Sequence, residues 1–311
     1  MAGVRRVLGL IFIITLVLVA LPTFIGRAMP LHALVYDYIQ NADVGIFVYD
    51  VRTGVSATFI DDARDWESHP VWSPDGTQMA YIGGINPGRM RIWQDGRSDT
   101  VYLDQMNMLG ASTVFFWSGD GTQLMWITSG GAVVGINVET GAPSMREVPG
   151  TVFVSTTNFT PLSEREVLLI AGEPRGESPG VRVFDLDSGA LGEAGIPDLT
   201  CETGVPHEVT RSADGTMFAL SCGMERSLYL VSAASGERRL LVGRERLPGG
   251  VRTHVRFSPD GESLLFSYLP DDGNVRRAMV VDVTTGALRP VLGTRVPLHT
   301  DWLPPGAFDG R

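Results

Sequence analysis

Lysine is missing from this chain. All 25 basic residues among its 311 are arginines, so neither a phosphate-loop lysine nor a Schiff-base lysine can operate here. Basic charge is short as well: 35 acidic residues leave a net charge of −10, and such a chain offers no general footprint for a phosphate backbone. Nucleic acid is therefore not an expected partner. Cysteine is nearly absent. Cys201 and Cys222 form no CxxC pair and lie near no spaced histidine set, which removes zinc-ribbon and thioredoxin-type chemistry.

Long apolar runs are also scarce, and the exception is at the N-terminus. Residues 7–26 carry no charge, follow Arg5 and Arg6, and stop at Arg27. Twenty helical residues cover about 30 Å, the hydrocarbon thickness of a bilayer. The expectation is a signal-anchor within residues 1–28, with Arg5 and Arg6 in the cytoplasm and the chain from 29 to 311 on the outer side. Gly26-Arg27-Ala28 also offers small residues to a peptidase, so a cleaved signal peptide and a secreted product stand as the alternative. Both readings export the rest of the chain, where two cysteines permit one disulfide.

What is abundant is a repeated turn. Trp72-Ser73-Pro74-Asp75-Gly76, Trp117-Ser118-Gly119-Asp120-Gly121, Arg211-Ser212-Ala213-Asp214-Gly215 and Phe257-Ser258-Pro259-Asp260-Gly261 start 45, 94 and 46 residues apart. The long gap holds a degenerate copy, Phe159-Thr160-Pro161-Leu162-Ser163, and Trp302-Leu303-Pro304-Pro305-Gly306 follows 45 residues after Phe257. Pro presets φ for the first central position of a type I turn, Asp tolerates the second, and Gly takes the left-handed position that returns the chain. Apolar runs follow at 79–82, 124–127, 167–171, 217–220 and 264–266, as in strands covered on both faces. A second turn then occurs in each unit, ending at Gly54, Gly96, Gly141, Gly189, Gly236 or Gly286.

Two hairpins per unit give four strands, and a four-stranded unit recurring near 46 residues is the sequence pattern of a propeller blade. The expected fold is all-β, a six-bladed β-propeller over residues 29–311 preceded by one transmembrane helix. A β-sandwich with coincidental turns is the competing reading. The C-terminus supplies only an innermost strand ending at Trp302. The closing blade must then borrow residues 44–49 and 55–60 and, as its second strand, residues 33–39, for which a short linker helix is the alternative. The WSPDG turns with their apolar follow-on resemble the WD-like repeats of TolB-type propellers over most of residues 44–306. The family's periplasmic form adds an α/β domain before its propeller, so the resemblance concerns the propeller part alone.

The resemblance implies a fold and is nearly silent on activity. Two function classes remain open. One is a membrane-anchored, extracytoplasmic module that binds a protein, peptide or glycan on one face of the ring. The other is a metal-dependent enzyme or ligand site, lyase- or hydrolase-like, at the channel mouth. The histidines motivate the second: His69, His254 and His299 each stand three residues before a turn-leading aromatic. Equal offset implies equal strand phase, and three neutral imidazoles sharing one orientation can hold a divalent metal. Hydrogen bonding to the connection between blades is the plainer role. His207 is one residue out of phase. No catalytic residue is assigned. Asp75, Gly76, Asp120, Gly121, Asp214, Gly215, Asp260 and Gly261 are expected to be structural, and Cys201 and Cys222 to pair, because a blade connection and the end of a second strand meet at one rim. Asp185–Gly189 reads as a solvated turn before a calcium loop. Asp61, Asp62, Asp65 and Glu67, like Asp271 and Asp272, could bind a cation or an Arg-rich partner, but read first as solvated loop acids.

Overall fold

Each turn motif joins the two innermost strands of an antiparallel sheet, and six such sheets make the ring. The computed structural model describes residues 33–304 except 41–42, 61–65, 85–88, 95–96, 101–114, 129–130, 149–151, 154–158, 173–179, 193–197, 272, 274 and 292–298. The expected membrane segment lies outside the described residues, among which no helix is long and apolar enough to cross a membrane.

The described chain opens with β1 (Ala33–Gln40), β2 (Asp43–Asp50) and β3 (Ser56–Ile60). Blade 1 follows as β4 (Glu67–Trp72), β5 (Gln78–Gly83), β6 (Arg89–Gln94) and β7 (Arg97–Thr100). Blade 2 comprises β8 (Phe115–Trp117), β9 (Gln123–Ile127), β10 (Ala132–Asn137) and β11 (Pro143–Glu147). In blade 3 the degenerate copy leaves a broken inner edge: β12 (Val152–Phe153) and β13 (Phe159–Pro161) both pair with β14 (Glu166–Gly172), beside β15 (Gly180–Asp185) and β16 (Leu191–Gly192). Blade 4 is β17 (Pro206–Arg211), β18 (Met217–Cys222), β19 (Ser227–Ser232) and β20 (Arg238–Val242). Blade 5 is β21 (Thr253–Phe257), β22 (Ser263–Tyr268), β23 (Arg277–Asp282) and β24 (Leu288–Val291). Finally β25 (Thr300–Trp302) pairs antiparallel with β1, setting Leu34 opposite Trp302 and Tyr36 opposite Thr300. The sixth blade is thus one C-terminal strand and three N-terminal ones, and residues 33–40 are strand, not linker helix. Sharing the blade leaves the ring no free inner edge.

Burial explains the apolar runs. Six hydrophobic clusters occupy the six blade boundaries, for example Trp72, Met79 and Trp93 of blade 1 against Ala33, Val35 and Ile46 of the closing blade. A second strand has neighbours on both faces, so Leu264, Leu265 and Phe266 are all fully buried. Two of the tryptophans that lead a turn also reach the preceding blade. Trp117 Nε1 donates to Val71 O and Trp302 Nε1 to Arg256 O, both at 3.0 Å. Burying the indole with its N–H satisfied avoids the cost of an orphaned donor.

The turns are built alike. Gly76, Gly121, Gly215 and Gly261 have φ between 71° and 73°, the left-handed region open to glycine. Beyond the Pro, Asp and Gly roles, the serine of each turn is a hub: Ser73 Oγ donates to Asp75 Oδ1 at 2.6 Å and accepts from Gln78 N at 3.0 Å. Ser118, Ser212 and Ser258 repeat both bonds.

Candidate functional site

Innermost strands begin at one rim, the mouth, and end at the turn rim. At the mouth three of them lose register among the described residues. Pairing jumps from Ser68 with Ile82 to Val71 with Ala80 in blade 1, and from Thr253 with Ser267 to Arg256 with Leu265 in blade 5. In each case the inner strand carries one residue too many, a β-bulge, and bulges re-aim side chains. The histidines occupy these bulges. His69 has φ 58° and His254 φ 55°, a conformation that costs an L-residue with a Cβ about 1–2 kcal/mol. The expectation of a shared orientation from equal phase needs correcting here: bulges with left-handed histidines, not regular alternation, set these side chains. His207 also sits at a register shift, between Pro206 and Glu208, but lies beside Gly223 and is not part of the ring contacts that join the other three.

The structure brings His69, His254 and His299 into ring contact. His69 and His299 stack with centroids 3.4 Å apart and planes at 28°, and His254 meets His299 edge-on at 5.5 Å. Asp37, in the middle of β1 and fully buried, ties them together. Its Oδ1 accepts from His299 N at 2.7 Å, and its Oδ2 accepts from His69 N and faces His299 Nδ1, both at 2.9 Å. One carboxylate therefore clasps the closing strand and blade 1 together. No local motif announces it, since Asp37 is 32 residues from His69 and 262 from His299.

Electrostatics keep the cluster ready to donate lone pairs. Burial pushes the His69 and His254 imidazoles down to about 3, helped by His299, so both are neutral at physiological pH. Burial alone would raise the Asp37 carboxyl, but the hydrogen bond and charge of His299 and the His69 N–H outweigh it and hold the group ionised, below its ordinary value. His69 Nδ1 is engaged by Ser68 Oγ at 3.0 Å. His69 Nε2 and His254 Nδ1 are buried without a hydrogen-bond partner among the described residues. One ligand atom each of Asp37, His69 and His299 lies within 4.8 Å of the others.

Further along the inner strands is an ionic layer. Arg256 Nη1 meets the buried Glu208 Oε1 at 2.9 Å, and burial lifts the Asp301 carboxyl to about 6 against the pull of Arg256. Glu67 is not a solvated loop acid: it begins β4 and is fully buried. Asp61, Asp62, Asp65 and Asp272 lie outside the described residues, while Asp271 pairs with Arg226 at 3.0 Å.

Cys201, in the connection from β16 to β17, and Cys222, closing β18, are joined with S–S 1.98 Å. Glu225 lies beside them, but bonded sulfurs are not thiolate ligands. Asp185 Oδ1 is occupied by the N–H groups of Asp187 and Ser188 and by Ser188 Oγ, so this segment is a turn. Gly176-Glu177-Ser178-Pro179-Gly180 has the letters of a hydrolase nucleophile elbow. It connects β14 to β15, two antiparallel strands of one blade, whereas an elbow turns from strand to helix. A cleft of about 510 Å³, lined by Gly119 and residues 161–165, opens at the turn rim, opposite the histidines.

With the ring and its mouth in view, solved structures decide the architecture. TolB from Acinetobacter baumannii superposes with a TM-score of 0.65 at 17% identity, over 88% of this chain and 67% of that one. The fold is that of a TolB-type propeller. A chain of a nidogen/laminin complex matches at 0.60 and 12% identity, over 86% of this chain and 97% of its own length. An oligogalacturonate lyase in complex with manganese matches at 0.50 and 14% identity, over 83% and 72%. No family model matches this chain, and no curated protein matches it.

Proposed function

We propose that this chain is a protein-binding propeller, tethered outside the cytoplasmic membrane by residues 7–26, and that its receiving face is the mouth. The carrying observation is where large apolar side chains meet water. Among the described residues seven large apolar side chains are markedly exposed: Val55 stands at the turn rim, Met145 and Leu240 lie on the outer strands β11 and β20, and Trp66, Met224, Leu269 and Val275 are 44%, 76%, 43% and 49% exposed. Trp66 precedes β4, Met224 joins β18 to β19, and Leu269 and Val275 join β22 to β23, so all four belong to the mouth. They come from blades 4, 5 and 1, the arc that also carries the three histidines. Exposed apolar groups gathered on one rim mark an interaction surface, where aromatic residues and methionine serve as anchors.

The start of β1 supports the same reading. Leu303 N donates to Ala33 O at 2.8 Å just past the end of β25, so β1 starts at the turn rim. A tether ending there turns the mouth away from the bilayer. The Cys201–Cys222 bond suits an oxidising outer compartment. A propeller of the same fold is found in the nidogen/laminin complex, and a protein partner is the corresponding expectation for this chain.

Site-specific photocrosslinking in intact cells of the source organism tests the proposal. A crosslinker replacing Met224 or Leu269 is expected to trap one discrete protein, and one replacing Val55 at the turn rim to trap none. Equal yields at the two rims, or adducts only to glycan, would overturn it.

A further inference from the structure

We propose that the mouth holds one divalent transition-metal ion of the zinc class, bound by His69, His254 and His299, with Asp37 as the carboxylate that orients His299. This inference goes beyond partner binding and does not depend on it.

Each nitrogen has an assignable part. Metal-bound imidazoles ligate through one nitrogen while the other donates to a carboxylate, hydroxyl or carbonyl that fixes the ring. Two of the three histidines already have that outer contact. His299 Nδ1 is held by Asp37 Oδ2 at 2.9 Å and His69 Nδ1 by Ser68 Oγ at 3.0 Å, which leaves both Nε2 atoms for an ion. His69 is only 9% exposed, and its Nε2 has no hydrogen-bond partner among the described residues. His254 contributes through Nδ1, likewise buried and unpartnered; it stands outside the group of Asp37, His69 and His299 ligand atoms that lie within 4.8 Å of one another, so it closes on the ion when the ion binds. Buried polar atoms of this kind are normally satisfied by something; His207 Nδ1 is a third on this rim, but only the two on rings that touch His299 in common point to a shared occupant. A cation fits best because the groups facing it are imidazole nitrogens and a fully buried carboxylate.

The backbone points the same way. Glycine is the natural residue for a bulge at positive φ, yet blades 1 and 5 both place histidine there, and strain of this kind concentrates at functional positions. Imidazole donors with a nearby carboxylate suit zinc, cobalt, nickel or iron better than calcium or magnesium. Near-parallel rings cannot both aim in-plane lone pairs at one ion, so binding must break the His69–His299 stack: the His69 ring turns and gives up its Ser68 contact, while Asp37 keeps His299 in place. The His299 side chain is 23% exposed, so the ion is reachable from the mouth and keeps one position for water or for a carboxylate of an incoming ligand.

Cobalt(II) titration of the full chain in detergent, stripped of metal and free of any histidine tag, tests the site. The expected result is one equivalent bound, with visible absorption bands of four- or five-coordinate cobalt that one equivalent of zinc abolishes. His69→Ala and His254→Gln should each remove the bands, and Asp37→Asn should weaken binding about 10- to 100-fold. His207→Ala should leave the spectrum and the stoichiometry unchanged. Absence of the bands in the folded wild-type chain overturns the proposal whatever the variants do. So does retention of the full spectrum in His254→Gln, since that substitution removes the third nitrogen and leaves Asp37 in place.

Discussion

The two rims of this ring are built on opposite principles. At the turn rim polar groups are satisfied locally and repeatedly. The Ser–Asp bond is 2.6, 2.5, 2.6 and 2.6 Å in four blades, and the glycine N–H returns to the serine carbonyl at 2.9, 2.9, 2.9 and 2.8 Å. At the mouth the repeat is broken: bulges replace register, histidines stand where glycine is easiest, and among the described residues three imidazole nitrogens are buried without a hydrogen-bond partner. A repeat protein reuses one solution wherever the task is scaffolding, so departures from the repeat mark where another task intrudes.

That contrast can be tested most severely at the closing blade, which serves both rims. Ending the chain at Gly293 deletes β25, with Trp302 only 4% exposed and His299 clasped by Asp37. The ring opens, and replacing the indole by Ala alone is expected to cost about 3–5 kcal/mol. Thermal unfolding should lose its cooperative transition or fall steeply in midpoint. An unchanged melt would mean that closure does not hold the ring.

A smaller effect sharpens the contrast directly. Asp75→Ala strips the acceptors of Ser73 Oγ, Thr77 N and Thr77 Oγ1 and should destabilise by about 1–2 kcal/mol. His254→Gly relieves a left-handed residue and removes a buried unpaired nitrogen, which offsets lost ring contacts, so stability should stay within about 1 kcal/mol of the parent. Urea unfolding of the pair decides. If the glycine variant loses more than the alanine variant, the mouth is scaffold too.

The smallest effect is a pH dependence of the turn rim. Burial would raise Asp75 and Asp120, but the bonds from Ser73 and Thr77 and from Ser118 and Thr122 prevail, and at Asp214 the Ser212 bond leads; all three carboxyls lie below their ordinary 3.8. A depressed folded-state pKa contributes stability that is fully present above the unfolded value and lost as pH falls through the folded one. The urea midpoint of the parent should therefore exceed that of the triple variant Asp75→Asn, Asp120→Asn, Asp214→Asn by a margin constant above pH 5 and shrinking towards pH 3. A margin independent of pH would assign the turns no such linkage.

The scaffold was legible because its information is local and repeated. Ser73 to Gly76 encode a turn within four residues, and the period near 46 counts the blades. Residues 33–39 were harder, since a single run of β-formers has no repeat to support it, and only the need for a second strand beside Trp302 identified them. The histidine offsets were visible, but their bulges were not: nothing in Ser68-His69-Pro70 or Thr253-His254-Val255 states that the chain will turn left-handed there. Asp37 was invisible for a different reason. Its partners are brought to it by ring closure, a contact between the two ends of the chain, and Glu67 was misread as solvated because burial at a strand start depends on the neighbouring blade.

Hydrogen exchange of the full chain in detergent, with and without one equivalent of zinc, tests most directly whether the mouth is the working rim and the turn rim its support. Zinc is predicted to slow exchange in peptides covering residues 33–40, 66–72, 252–257 and 299–303, and to leave residues 73–77, 118–122, 212–216 and 258–262 unchanged. Protection confined to the turn peptides, or no change at the mouth, would contradict the account.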